Sequence, residues 1–147
     1  MTGAQILALL PYRKPFLFVD EITQVDENQI EGHYSFSKEE FFYIGHFPGF
    51  PLTPGVILIE CMAQIGLVAL GIYLLDQQGI HISFSAEKLP LFTSSNIQFY
   101  KKVLPGEKVV IKGEKVVFRH HKLRSNVKMT NEMGETVCDG LISGMFV

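Results

Sequence analysis

The sequence contains no tryptophan and only two cysteines, and its charges nearly cancel. Cys61 and Cys138 sit in apolar surroundings without C-x-x-C spacing. That pattern argues against a disulfide scaffold and a zinc site, and it predicts two buried thiols in a reducing compartment. A formal net charge of −2 excludes a chain built as a whole to bind nucleic acid. Charged residues make up 19% against 47% hydrophobic, which excludes a disordered chain. Repeats, low-complexity tracts and linkers are absent, and 147 residues is the size of one domain, here 1–147. The apolar stretch from Met1 to Leu10 has no basic residue before it. It does not read as a secretory signal, so a cytoplasmic protein is expected. In place of tryptophan there are twelve phenylalanines, which predict an aromatic interior or a pocket for an apolar ligand.

Residues 4–10 read as a short amphipathic helix stopped by Pro11, and 16–23 as a strand. Residues 29–37 alternate, with Ile30, Gly32, Tyr34 and Phe36 on one face and Glu31, His33 and Ser35 on the other. The loop from Gly45 to Gly55 holds three prolines and three glycines, a composition suited to unusual backbone. A long apolar helix follows from Val56 to Leu75, with Thr53 as its expected N-cap and Pro54 as its first residue. Strands are predicted at 96–103, 107–119, 122–131 and 135–147, with turns at Pro105-Gly106 and Met133-Gly134. The expected class is α+β: one long helix against an antiparallel sheet.

Between Pro54 and Ile72 only Glu60 and Gln64 are clearly polar, and their spacing of four puts them on one helical face. A helix apolar on every side is buried in a protein or set in a membrane. The segment is long enough to span, but it carries Glu60 inside and lacks anchors at its ends. The amphipathic strands also need a helix to cover, so no membrane span is expected. A buried carboxyl tends to hold its proton, because burial disfavours the charged form. Such a group is either satisfied by neighbouring backbone or cations, or serves as a proton donor.

His46 lies in Gly45-His46-Phe47-Pro48-Gly49, fourteen residues before Glu60, and its loop runs into the helix. The backbone N–H groups around Gly55 are orphan donors of the helix N-terminus and favour negative charge there. A base, an acid and an oxyanion site suit proton abstraction beside a carbonyl with loss of a β-hydroxyl.

The stretch from Phe41 to Gln64, FFYIGHFPGFPLTPGVILIECMAQ, closely resembles the signature of bacterial 3-hydroxyacyl-[acyl-carrier-protein] dehydratases, the FabZ-like branch. Weaker resemblance extends to LPYRKPFLFVDEI and FYKKVLPGEKV. The resemblance implies a hot-dog fold, a long central helix wrapped by a curved antiparallel sheet. It implies dehydration of (3R)-3-hydroxyacyl chains to trans-2-enoyl chains, carried on the phosphopantetheine of acyl carrier protein. His46 is then the base, Glu60 the acid and Gly55 the backbone donor to the thioester carbonyl. Gln64 orients the carboxyl or a water, and Phe47 and Thr53 join it as substrate-binding residues. Glutamate rather than aspartate at position 60 argues for dehydration without isomerisation of the double bond. The family assembles as homodimers, in many members as trimers of dimers, with each active site taking its histidine from one subunit and its carboxylate from the other. This chain departs from the pattern at Tyr12, at Thr53, and near Pro90, where the gating tyrosine is replaced. These positions bear on the acyl tunnel, so fatty-acid and polyketide or polyene intermediates both stand as substrate classes.

Eight of the thirteen basic residues fall between Lys101 and Arg124, opposed only by Glu107 and Glu114. Lys101, Lys102, Arg119, Lys122 and Arg124 are the candidate docking residues for the acidic carrier protein; the alternative is a solvated strand surface. His120 and His121 adjoin the strip, but neighbours on a strand point to opposite faces and make a poor metal pair. No metal and no organic cofactor is expected. The rival readings are a hot-dog acyl thioesterase, a non-catalytic partner of a second hot-dog subunit in a heteromeric dehydratase, and a hydratase acting on coenzyme A esters.

Overall fold

The computed structural model describes residues 1–147. Helix α1 (Gly3–Leu9) starts at Thr2, which forms a capping box with Gln5, and stops short of Pro11. Six strands follow: β1 (Glu21–Val25), β2 (Gln29–Ser35), β3 (Pro90–Phe99), β4 (Lys108–Arg119), β5 (Lys122–Asn131) and β6 (Thr136–Phe146). They make one antiparallel sheet in the order β1-β2-β4-β5-β6-β3. The central helix α2 (Gly55–Gln77) packs against it, which is the α+β arrangement expected.

The alternation read in β2 is obeyed: Ile30, Gly32 and Tyr34 are buried, and Phe36 continues the row. The phenylalanines do fill the interior. Phe18, Tyr34 and Phe36 are fully buried, and Tyr34 meets both phenylalanines edge to face, Phe36 at 4.9 Å between ring centres. Cys61 and Cys138 are buried and unpaired, as expected.

The helix passes the length and hydropathy test for a membrane span, yet 78% of its most apolar window is buried inside the domain. It is the core helix. Its middle, Gln64–Ala69, is wound as a wider π-helix. There the backbones of helix and sheet touch. A Cβ added to Gly113 in β4 would lie 2.9 Å from the Gly66 Cα, and one on Gly66 would lie 2.5 Å from Val127 Cγ1. Ser125 in β5 donates to the Gly66 carbonyl at 2.8 Å, so this buried carbonyl has a partner from the sheet.

Four details differ from the sequence reading. Residues 16–20 are not strand, because the backbone at Phe16 and Phe18 bonds to helix side chains instead of a neighbouring strand. β3 runs from Pro90 to Phe99 and not over 96–103; Pro at the first position and an irregularity between Phe92 and Ser94 hide its start from pattern reading. Thr53 is not the cap: Pro54 occupies the N-cap position, and the buried Thr53 hydroxyl bonds to Tyr43 Oη at 2.6 Å. His120 and His121 are not on a strand. They form the two-residue turn between β4 and β5, with φ of 52° and 59°, the left-handed pair that tight hairpins require.

Candidate active site

The loop before α2 holds His46 by both backbone and ring. Its N–H donates to the Phe42 carbonyl and its carbonyl accepts from Leu52 N–H. Its Nδ1 lies 2.7 Å from the Leu52 carbonyl oxygen. A carbonyl only accepts, so Nδ1 carries the hydrogen, and in the neutral ring Nε2 keeps a free lone pair. The ring of Phe47 stacks on the imidazole at 4.0 Å between centres, with Phe47 itself half exposed. Loop and ring contacts together leave Nε2 as the unpartnered ring nitrogen.

Glu60 lies one turn into the helix core. Gln64, wholly buried, fixes it: Nε2 donates to Glu60 Oε1 at 3.1 Å and to the Phe16 carbonyl at 3.0 Å, while Oε1 accepts from Phe18 N–H at 2.8 Å. Burial pushes the Glu60 carboxyl above its ordinary pKa, and the Gln64 hydrogen bond opposes that only in part. The result is a carboxyl that keeps its proton to a higher pH than an exposed glutamate does.

Glu60 faces a cavity of about 230 Å³ whose other walls are mostly apolar: Ala63, Leu67 and Val68 from the helix, Leu91 and Phe92 from β3, and Leu123, Met145 and Phe146 from the far strands. Tyr12 also lines it. Burial raises the Tyr12 phenol pKa, and the charge of Glu60 raises it further. The tyrosine therefore stays a neutral donor beside the carboxyl.

Gly55 and Val56 open the first turn of α2, where the helix itself supplies no acceptor for their N–H groups. The ring of Phe99 lies against Gly55, 3.2 Å from where a Cβ would sit. His46 does not line the cavity that Glu60 faces, and no hydrogen bond joins the two side chains. Among the expected substrate residues, Gln64 does contact Glu60, whereas the Thr53 hydroxyl is consumed by Tyr43.

The basic residues do not form one patch. Lys101 N–H bonds to the Val137 carbonyl at one end of β6, whereas Lys122 pairs with Met145 at the other. Eight residues of strand separate these points, roughly 27 Å. Lys101 also pairs with Glu135 at 3.0 Å. Lys101 and Lys102 adjoin the loop that carries His46, because the next residue, Val103, accepts from Thr53 N–H. Arg119, Lys122 and Arg124 lie at the opposite end, near the β4–β5 turn. No cluster of three or more His, Cys, Asp or Glu side chains that could hold a metal is present.

Sequence reasoning missed most of the cavity wall, since Leu123, Gly144, Met145 and Phe146 carry no local signal and reach Glu60 only through strand order.

A long central helix packed on one antiparallel sheet, with a carboxylic acid in an apolar cavity along it, defines the class, a hot-dog domain. A family model described as a FabA-like domain matches residues 10–142, and the chain belongs to that family, in its FabZ-like branch. It is 41% identical over 107 residues to the 3-hydroxyacyl-[acyl-carrier-protein] dehydratase FabZ of Nitratidesulfovibrio vulgaris, covering 71% of this chain and 65% of that protein. It is 36% identical over 111 residues to FabZ of Petrotoga mobilis, covering 75% and 73%. Among solved structures, the dehydratase heterocomplex ApeI:P from Xenorhabdus doucetiae aligns with a TM-score of 0.75 at 14% identity, over 99% of this chain and 91% of that one. A hypothetical thioesterase from Streptococcus pneumoniae aligns at 0.60 with 16% identity, over 86% and 84%, so the same fold also carries a protein of that description.

Proposed function

We propose that the protein removes water from (3R)-3-hydroxyacyl chains on acyl carrier protein, giving trans-2-enoyl chains. The observation that carries this reading is Glu60: a carboxyl with raised pKa, held by Gln64, on the wall of an apolar cavity. His46 Nε2 takes the α-proton. The N–H groups at Gly55 hold the enolate oxygen that develops on the thioester carbonyl. Glu60 gives its proton to the departing β-hydroxyl, which leaves as water. Elimination of this kind needs no metal and no organic cofactor.

His46 and Glu60 act together when one protomer supplies the histidine and its partner the carboxyl, and a homodimer is the proposed unit. Two features support it. β3 ends the sheet with a free edge carrying half-exposed Leu91, Phe92 and Phe99. Around the loop and the start of α2, Ile44 is exposed at 86%, Phe50 at 81% and Val56 at 72%, large apolar side chains left open on the surface. Carrier-protein docking is proposed at the Lys101–Lys102 end, beside the loop, in a cytoplasmic enzyme of fatty-acid or polyketide-type synthesis.

Mass spectrometry of a 3-hydroxyacyl carrier protein incubated with the purified protein tests the reaction. Loss of one water with the acyl group still attached is expected. Release of free acid would make the protein a thioesterase, and an unchanged substrate across chain lengths would overturn activity of the isolated chain in favour of a second hot-dog subunit.

A further inference from the structure

A second cavity, of about 290 Å³, lies beyond the first along the same helix. Leu75, Ile80, Ile82, Phe84, Leu89 and Val147 supply its apolar lining. The two cavities share one wall residue, Phe146. The helix contributes Glu60, Ala63 and Leu67 to the first and Leu75 to the second, and between them Gly71 touches Phe146. Eleven residues separate Glu60 from Gly71, about 16 Å along the axis.

The ring is seated rather than loose. A Cβ on Gly71 would fall 2.1 Å from Phe146 Cζ, so the ring reaches the helix only because position 71 has no side chain. Phe84 stacks on its far side at 6.5 Å between centres. Its backbone is pinned on both sides: its N–H donates to the His121 carbonyl at 3.0 Å, and in the adjoining pair Val147 N–H donates to Leu89. β6 also pairs it with Pro90.

We infer that Phe146, seated on Gly71, is the partition that ends the acyl cavity and sets the longest chain the protein accepts. An acyl chain whose reacting carbons lie at Glu60 runs along Ala63 and Leu67 and meets the Phe146 ring. Removing the ring joins the two cavities into one mostly apolar channel, with His81, Ser83, Lys88 and His121 also lining its far part. The dehydratase reading supplies the ligand class, while the partition itself is a property of the two cavities.

The test uses graded chains in two assays: turnover of 3-hydroxyacyl thioesters, and calorimetric binding of saturated acyl-pantetheine amides, which cannot eliminate water. In the wild type, affinity rises with length and then falls once the chain reaches the ring. In Phe146→Ala the fall moves to longer chains. The first chains beyond the wild-type limit gain on the order of ten-fold, since each further buried methylene is worth about four-fold. Phe146→Leu, a milder change that guards against misfolding, shifts the limit less. An unchanged length limit in both variants, or no binding of any chain by the folded wild type, overturns the partition. Binding with the expected shift but no dehydration at any length overturns the dehydratase reading alone.

Discussion

Gln64 Nε2 donates to Glu60 Oε1 at 3.1 Å while the same amide ties down the backbone at both Phe16 and Phe18. One buried side chain thus anchors the segment that failed to become a strand and holds the acid. Gln64→Leu keeps the volume but strands the Phe18 N–H and the Phe16 carbonyl. A loss of about 2–3 kcal/mol is expected in denaturant unfolding. The substitution also removes the hydrogen bond that favours the Glu60 carboxylate, so the carboxyl pKa rises further. In the proposed mechanism Glu60 must be protonated, and the high-pH limb of the rate profile therefore moves upward in this variant.

The proposed mechanism needs both the His46 base and the Glu60 acid. His46→Ala and Glu60→Gln are each expected to lower kcat by about 10²- to 10⁴-fold, with circular dichroism unchanged. Substantial turnover by either variant would remove the role assigned to that residue.

Glu60 also makes a stability prediction whose sign follows from its raised pKa. The folded state binds the proton more tightly than the unfolded chain. As pH rises from the unfolded carboxyl pKa through the folded one, the unfolded state sheds its proton first, and stability falls. Glu60→Gln removes that slope. The variant is expected to melt higher than the wild type at neutral pH, with the difference shrinking in acid. An equal difference at both pH values would contradict the burial argument.

Local chemistry made much of this legible in the sequence. The run from Gly45 to Gln64 carries His46, Gly55, Glu60 and Gln64 in contiguous order. Alternation revealed the buried face of β2, and glycine turns marked Pro105-Gly106 and Met133-Gly134. What stayed hidden depends on distant pairing. Phe146 and Leu123 reach the Glu60 cavity only because β5 and β6 lie where the sheet order puts them. The basic run from Lys101 to Arg124 looked like a patch because sequence distance does not register that two strands carry its ends apart. Strands predicted at 107–119 and 122–131 leave His120 and His121 between them, and without glycine only their positive φ identifies the pair as a tight turn.

The glycine pair that brings helix and sheet together predicts a fold-level defect. Gly113→Ala puts a methyl group 2.9 Å from the Gly66 Cα, where both partners are backbone and cannot swing aside. A cost of about 1–3 kcal/mol is expected, read as a lower unfolding midpoint, while Gly134→Ala, with no neighbour within 4 Å but a φ of 78°, is limited to the cost of its turn conformation.

The split of the basic residues turns a single docking surface into two distinguishable ones. Lys101 and Lys102 flank the loop that carries His46, whereas Arg119, Lys122 and Arg124 sit roughly 27 Å away, by the β4–β5 turn. A carrier protein delivering its acyl group to the catalytic loop meets the first set. Reversing Lys101 and Lys102 to glutamate is expected to weaken carrier binding several-fold at low salt, with the difference fading as ionic strength screens it. The same reversal at Arg119 and Lys122 should leave binding near the wild-type value. A small pantetheine thioester serves as the control, because it carries no acidic surface and its turnover should respond to neither change. If the distal pair proves the more sensitive, the chain is delivered from the Phe146 end, and docking moves from the loop to the hairpin.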